Sequence, residues 1–514
     1  MAYNFLSDGE LSARVGARTV RLALPDLFAV AMRDDVLDMP AVRPHQRQAL
    51  HAFLAQLGAL ALVAADRRHA PREGPEWAEL LRALTLRWPN DEPWSLVVGD
   101  LSKPALLQPP LPEGTLDALK ERETTPDGLD MLVTSKNHDL KAARMAAATP
   151  EHWFLALLTL QTIEGFLGAG NYGVARMNGG FASRAMVGAA PPGGWGARLR
   201  RDIEALAADH EVNAETFGFP EAGGIALLWL EPWDGRAQLP LSKLDPYFVE
   251  ICRRVRLTQE GGALIARRGS TKAARVAVDK SKGGKTGDPW APFDLDKVLT
   301  VDGRGFHYRR VSQLLNPAAY TPAPLQRPRP EDGEGGLTLH FVATARGQGE
   351  TDGFHERRIP VPPVAAGLLS ASPDRLAAMA RERVEEAGKV SASVLKPALL
   401  TLFQNAPDKV NYRHPASETK AAPFLAAFDA AVDRIFFDSL FAEIEARDET
   451  KEEARRGWLK ALRDLARAQL AAAETATPRS GLRRQLAIVA ARDALGGLFL
   501  HQFPFMKETV DAAP

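Results

Sequence analysis

The chain has 514 residues, 45% of them hydrophobic and 25% charged, which is the composition of a globular protein long enough for two or three domains. Lysine plus arginine equals aspartate plus glutamate at 64 each, so the molecule is no polycation and any nucleic-acid contact must come from local patches. The single cysteine, Cys252, excludes an internal disulfide framework and a cysteine-rich zinc site.

In chain order, Phe5–Ala29 reads as short strands, first around an Asp8-Gly9 turn and then around Val15-Gly16. Thr19 to Leu24 alternates with the period of two expected of a half-buried strand. The stretch from Pro40 to Arg67 reads as a helix with an apolar middle, central to the first domain. Its longest apolar run, Ala52 to Ala65, is interrupted by Gln56 and is too short to span a bilayer. With no basic region leading into an apolar core at the N-terminus, a cytoplasmic location without membrane contact is expected. Trp88 to Pro112 is rich in proline and turn residues and is expected to be irregular. Thr149-Pro150 supplies an N-cap and a first-turn proline for a helix through Trp153–Leu167, which ends in glycines.

A β-rich stretch is expected from Gly223 to Phe354, with Ala226–Leu230 and Leu337–Val342 as its clearest strands and Asn316–Gly336 as a charged, proline-rich loop. After about Pro363 the chain becomes rich in Ala, Leu, Arg and Glu. Helices are expected near 372–388, 390–404, 418–446, 449–474 and 478–500. Trp458, Leu459, Leu462, Leu465 and Leu470 recur at helical spacing, as do Leu482, Leu486 and Val489. The expected class is α+β: a mixed α/β domain over 1–363, then an antiparallel four-helix bundle over 364–514.

Several strings carry possible chemistry. Gly168-Ala-Gly170-Asn-Tyr-Gly173 matches a dinucleotide fingerprint, but a helix precedes it where a strand is needed. Gly283-Gly-Lys-Thr286 resembles the tail of a phosphate-binding loop, yet Asp279 stands where glycine is required. Asn171 to Arg184 pairs two bare glycines, Gly179 and Gly180, with Asn178, Arg176 and Arg184, a set suited to close approach to a phosphate chain or a groove. The stretch 251–290 carries ten Lys and Arg residues and reads as a basic loop; its lysines are Lys272, Lys280, Lys282 and Lys285. Arg346-Gly-Gln348-Gly puts an amide on a glycine-flanked tip, either a hairpin turn or a flat wedge for bases. Ser135-Lys136-Asn137-His138-Asp139 could join His355 and Glu356 only through folding, and a two-metal nuclease would need more converging carboxylates.

Taken in order, these pieces resemble the CasA family, the large subunit of the type I-E CRISPR surveillance complex Cascade. The resemblance rests on Phe5-Leu-Ser-Asp, Arg43-Pro-His-Gln-Arg47, Pro104–Pro109, Leu129–Asp139, Asn178–Arg184, Ala345–Gly349 with Glu356-Arg-Arg358, and the helical C-terminus. It implies a non-catalytic subunit without cofactor or metal. Its partners are the other Cascade subunits, the guide RNA, double-stranded target DNA and a separate helicase-nuclease. Ser135, Lys136, Asn137 and His138 would lie near the 5′ handle of the guide. Asn178, Gly179, Gly180, Arg184 and Arg346 would meet the DNA at the PAM, the short motif beside the target, while Gln348 wedges into the duplex and a lysine enters the minor groove. Lys272, Lys280, Lys282 and Lys285 all remain candidates for that lysine. The cysteine cluster of some members is missing here. Two other readings stay open: a metal-dependent nuclease using His138, Asp139, His355 and Glu356, and a purely structural scaffold.

Overall fold

The computed structural model describes every residue except 1, 131, 133–144, 146, 174–175, 177–183, 347–349, 405–408, 478–480 and 508–514, together with the side chains of Arg346 and Asp352. The chain forms two compact units, one of residues 1–306 and 319–360, the other of 307–318 and 361–514. The class is α+β.

The first unit is organised around α2 (Pro44–Ala64), buried on nearly every face. It packs against α4 (Pro150–Thr162), α5 (Trp195–Ala208) and β10 (Leu244–Val249). At 21 residues α2 has the length and composition of a membrane span, but 83% of its most apolar window is buried inside the protein. Gln56, which interrupts the apolar run, donates to the carbonyls of Tyr247 and Phe248 at 3.2 and 2.8 Å. It thereby serves buried backbone acceptors at the end of β10. Thr149 and Pro150 open α4 as expected, and His152 closes the cap by accepting from the Thr149 N–H at 3.1 Å.

Among the described residues the strands form six small sheets. β1 (Ala2–Asn4) pairs with β5 (Ser95–Val97) rather than with its sequence neighbour, so no hairpin closes at Asp8-Gly9. The expected turn at Gly16 does join β2 (Leu11–Val15) to β3 (Arg18–Leu22), with β4 (Val36–Asp38) on the other side of β2. Beyond Leu22 the alternation stops mattering: Leu24–Met32 is a buried helix, α1, with Pro25 in its first turn. β6 (Glu121–Glu123) joins the hairpin of β11 (Arg254–Glu260) and β12 (Ala263–Gly269). Two parallel pairs are short: β8 (Ile225–Leu227) with β10, and β9 (Leu239–Pro240) with β13 (Val276–Ala277). The last sheet has the order β15 (Thr351–Val361), β14 (Leu337–Arg346), β7 (Met186–Ala190). Helices α3 (Gly74–Ala83) and α6 (His210–Phe217) also belong to this unit, as does the charged loop from Ala319 onward. That loop is pinned, since Asp332 accepts from Arg201 at 2.6 and 3.0 Å.

The second unit is helical. Its short α7 (Tyr308–Leu314) is tied to α11 (Pro415–Glu445) by the Tyr308 hydroxyl, which donates to Asp429 at 2.8 Å. After α8 (Pro363–Ala371), α9 (Pro373–Lys389) runs through a π-helical turn at Val390–Leu395 into α10 (Lys396–Gln404). α12 (Lys451–Ala476) and α13 (Leu482–Gln502) complete the bundle around Phe436, Trp458, Leu462 and Phe499. Trp458 donates to Glu386 at 3.0 Å while Arg383 stacks on its ring at 4.9 Å. On α13 the buried stripe is Ala487, Ala491, Leu495 and Phe499. Leu482, Leu486 and Val489 keep helical spacing but point outward, at 75, 50 and 56% exposure.

Candidate nucleic-acid interface

The glycine segment is held by the residues on either side of it. Arg176 adopts φ +41°, a left-handed conformation that a residue with a side chain rarely takes, and its guanidinium carbon lies over the Phe248 ring, 4.0 Å from its centroid. Its Nε stands 2.6 Å from Glu250 Oε1, and Nη2 donates to the carbonyls of Pro246 and Phe248 at 2.8 and 3.1 Å. Arg184 donates from Nε and Nη2 to both oxygens of Asp288 at 2.6 and 2.7 Å, with Glu250 Oε2 3.9 Å from Nη1. The Arg184 N–H also donates to the carbonyl of Ile163 at 3.0 Å. One acidic centre therefore receives both flanks of 177–183.

These groups are interior ones. Burial pushes the Glu250 carboxyl up and the Arg176 guanidinium down. Burial also opposes the Arg184 charge, but Asp288 and Glu250 outweigh it and hold that group up. Arg176 and Arg184 are 3 and 2% exposed, which corrects the expectation that they face DNA: both guanidinium groups are turned into the protein, toward Glu250 and Asp288. They act as anchors.

The sheet β15-β14-β7 then decides where the two glycine-rich segments emerge. β7 runs antiparallel to β14, with Ala190 opposite Thr338 and Met186 opposite Val342. Arg184, before β7, and Arg346, at the end of β14, thus lie toward the same end of the sheet. The residues that follow 177–183 enter β7 at that end, and β14 ends there at Arg346. Thr351 closes the hairpin by donating to the Ala345 carbonyl at 2.8 Å. Asn178, Gly179, Gly180 and Gln348 themselves lie outside the described residues, as do Ser135, Lys136, Asn137 and His138.

The four lysines separate. Lys272 is exposed, and its neighbour Thr271 binds the leading part of the glycine segment. The Thr271 N–H donates to Gly170 at 2.7 Å, and its hydroxyl accepts from the Tyr172 N–H at 2.8 Å. Lys280 and Lys282 sit on a single 3₁₀ turn capped by Asp279. Lys285 is committed, donating from Nζ to the Leu295 carbonyl at 2.6 Å.

The remainder of 251–290 is not a basic loop. Arg253, Arg254, Arg256 and Arg275 are buried. Arg253 donates to Gly165 and Gly173 at 2.6 and 2.9 Å, and Arg256 to Lys103 and Val98 at 3.0 and 3.1 Å. Their cause is common: irregular segments turn carbonyls inward, and a guanidinium brings five donors to satisfy them. Gly173 belongs to this packing, since a Cβ there would collide with the Cys252 carbonyl. Arg267 and Arg268 pair with Glu260 and Glu123 at 2.7 and 3.0 Å.

For the nuclease reading, no group of three His, Cys, Asp or Glu side chains placed to hold a metal occurs among the described residues. His355 lies against Gly305, and Glu356 pairs with Arg358 at 2.7 Å. His138 and Asp139 fall outside the described residues. Cys252 is buried, and burial pushes its thiol well up, away from reactivity.

No protein-family model matches the sequence, and no curated protein matches it. Solved structures do. Thermus thermophilus CasA (Cse1) is 18% identical with a TM-score of 0.65, covering 97% of this chain and 99% of that one. Acidimicrobium ferrooxidans Cse1 is 16% identical with a TM-score of 0.66, covering 98% of each chain. Thermobifida fusca Cse1 is 15% identical with a TM-score of 0.64, again covering 98% of each. The chain has the fold of these Cse1/CasA proteins over nearly its whole length.

Proposed function

We propose that this chain, which has the Cse1/CasA fold, is the large subunit of a type I-E Cascade complex and reads the PAM of double-stranded DNA. The observation that carries the proposal is whole-length likeness to that fold, with the two glycine-rich segments bounded at one end of a single sheet. In this reading the guide RNA reads the target, and the chain needs only to recognise a short motif and start opening. Gly179 and Gly180 bring bare backbone to the minor groove, where information is degenerate and several motifs are tolerated. Lys272 is the lysine favoured to reach groove acceptors, because it is exposed and coupled through Thr271 to the glycine segment. Gln348 wedges at the first target pair, at a cost on the order of a few kcal/mol that groove contacts and heteroduplex growth offset.

Around this core, residues 135–138 pack toward the guide's 5′ handle, and the residues after 364 form a bundle that guides a DNA strand. The opened complex recruits a separate helicase-nuclease, so the chain itself performs no chemistry. The test is binding of short duplexes, with and without candidate PAMs, to the guide-loaded complex assembled with and without this subunit. PAM discrimination that vanishes on omission supports the proposal. Discrimination that persists without the subunit refutes the recognition role and leaves a scaffold.

A further inference from the structure

A cavity of about 550 Å³ opens in the first unit, between one face of the β14–β15 hairpin and the starts of α2 and α5. That volume falls in the range of about 300–1,000 Å³ usual for small-molecule sites. Its walls are apolar, with Met39, Val42, Leu50, Trp195, Val342 and Phe354. Its floor carries polar groups held by hydrogen bonds to one another.

Arg198, 7% exposed, donates from Nη2 to Gln48 Oε1 at 3.1 Å and lies 3.4 Å from His340 Nδ1 through Nη1. A guanidinium can only donate, so the Gln48 amide is turned with its oxygen toward Arg198, and His340 keeps its proton on Nε2. Trp195 likewise donates to His51 Nδ1 at 3.1 Å, which fixes the His51 proton on Nε2, 2.8 Å from Asp202. The outcome is a floor whose donors are mostly matched internally. One of them, Gln48 Nε2, is buried with no hydrogen-bond acceptor, although the residue is only 6% exposed. A buried donor without an acceptor is unfavourable, so a ligand bringing an acceptor is favoured there.

The rim adds charge. Arg47 stands 3.7 Å from Asp38, and Arg358 stands 2.7 Å from Glu356; both arginine side chains are more than half exposed, at 53 and 55%. Counting lining groups, Arg47, Arg198 and Arg358 exceed Asp38 and Glu356 by one positive charge.

We propose that this cavity binds a nucleoside monophosphate, with the base against the Gln48 floor and the phosphate at Arg47 and Arg358. A base is flat, suits walls carrying Trp195 and Phe354, and offers the carbonyl and ring-nitrogen acceptors that the floor lacks. A phosphate matches the guanidinium fork at the rim. None of the residues lining the cavity is one proposed for PAM reading, so the proposal stands or falls independently of that role.

The test titrates the purified full chain with AMP, GMP, CMP and UMP by calorimetry, with ribose 5-phosphate and inorganic phosphate as controls. The expected result is submillimolar binding of at least one nucleotide, tenfold or more tighter than ribose 5-phosphate. Gln48→Leu and Arg358→Gln should each weaken it fivefold or more, whereas Arg304→Gln, at an exposed arginine outside the cavity, should not. Should Gln48→Leu fail to fold, Arg358→Gln decides alone, because its side chain is half in solvent. Absence of binding at 5 mM nucleotide (about the millimolar limit of weak recognition), equal binding of phosphate alone, or equal weakening by Arg304→Gln would overturn the proposal.

Discussion

Arg184 donates to both carboxylate oxygens of Asp288, at 2.6 and 2.7 Å, in a site closed to solvent. The pair fixes the chain where the glycine segment becomes β7, and it turns a residue with the look of a phosphate contact into an internal strut. Removing one partner leaves the other charge buried and uncompensated. Asp288→Ala should therefore destabilise the first unit by about 3–5 kcal/mol. Urea unfolding followed by tryptophan fluorescence measures this, and a loss below about 1 kcal/mol would show that water reaches Arg184.

Lys272 and Lys285 should behave differently. Lys272→Ala is expected to lower the affinity of the assembled complex for PAM-bearing duplex about tenfold and to reduce its salt slope by about 1. Lys285→Ala should change affinity less than twofold, since its ammonium is engaged by the Leu295 carbonyl. Equal effects in filter binding across salt concentrations would remove the distinction.

The glycine and glutamine segments make separable contributions under the proposed function. Gly180→Trp should weaken PAM-dependent binding tenfold or more while leaving complex assembly intact by size exclusion. Gln348→Ala should slow strand opening more than docking, so permanganate reactivity of target thymines falls while initial duplex capture persists. Wild-type behaviour of both variants would sink the assignment.

Stability should fall as the solution is acidified below about pH 6.5. Burial, then Arg198, pushes His51 down to about 4, and burial with Arg198 and Arg358 pushes His340 down to about 3. Both are neutral in the fold and gain protons near 6.5 when unfolded. The unfolded state then binds more protons, and each histidine contributes a slope approaching about 1.4 kcal/mol per pH unit. Buried carboxyls raised by desolvation, such as Glu151 and Glu250, act with the opposite sign. The readout is accordingly a difference: His340→Gln should flatten the loss between pH 6.5 and 4 relative to wild type. Superimposable pH profiles would contradict it.

On α13, Leu486→Gln should cost less than about 0.5 kcal/mol, whereas Phe499→Ala should cost about 3–5 kcal/mol. Thermal unfolding of the two variants compares an exposed apolar stripe with a buried one. A reversed order would restore Leu482, Leu486 and Val489 to the core.

Sequence patterning placed elements better than it placed faces. The bundle helices begin and end within a few residues of their expected bounds, because prolines at 373 and 415 and long Ala/Leu-rich runs mark them locally. On α13 both apolar stripes satisfy helical spacing, and only packing against α10 and α12 chooses the smaller one. Helices α1, α3, α5, α6, α7 and α8 are not marked in this way: Leu24–Met32 continues an apolar alternation, and α5 is laced with arginines.

What the sequence determined by itself was the class, the helical C-terminus, the core helix around Leu54 and the ordered series of motifs behind the family resemblance. These are local properties, fixed by spacing, capping and composition along a few turns of chain. What only the tertiary structure decided was the use of each charge. Arg176, Arg184, Arg253 and Arg256 share a basic, glycine-punctuated sequence with Lys272, yet they are interior donors while it is exposed. The physical reason is that a guanidinium's fate depends on which carbonyls and carboxylates arrive beside it. Glu250, Asp288 and the turn carbonyls at Gly165 and Gly173 reach those arginines only when distant strands and loops close upon them.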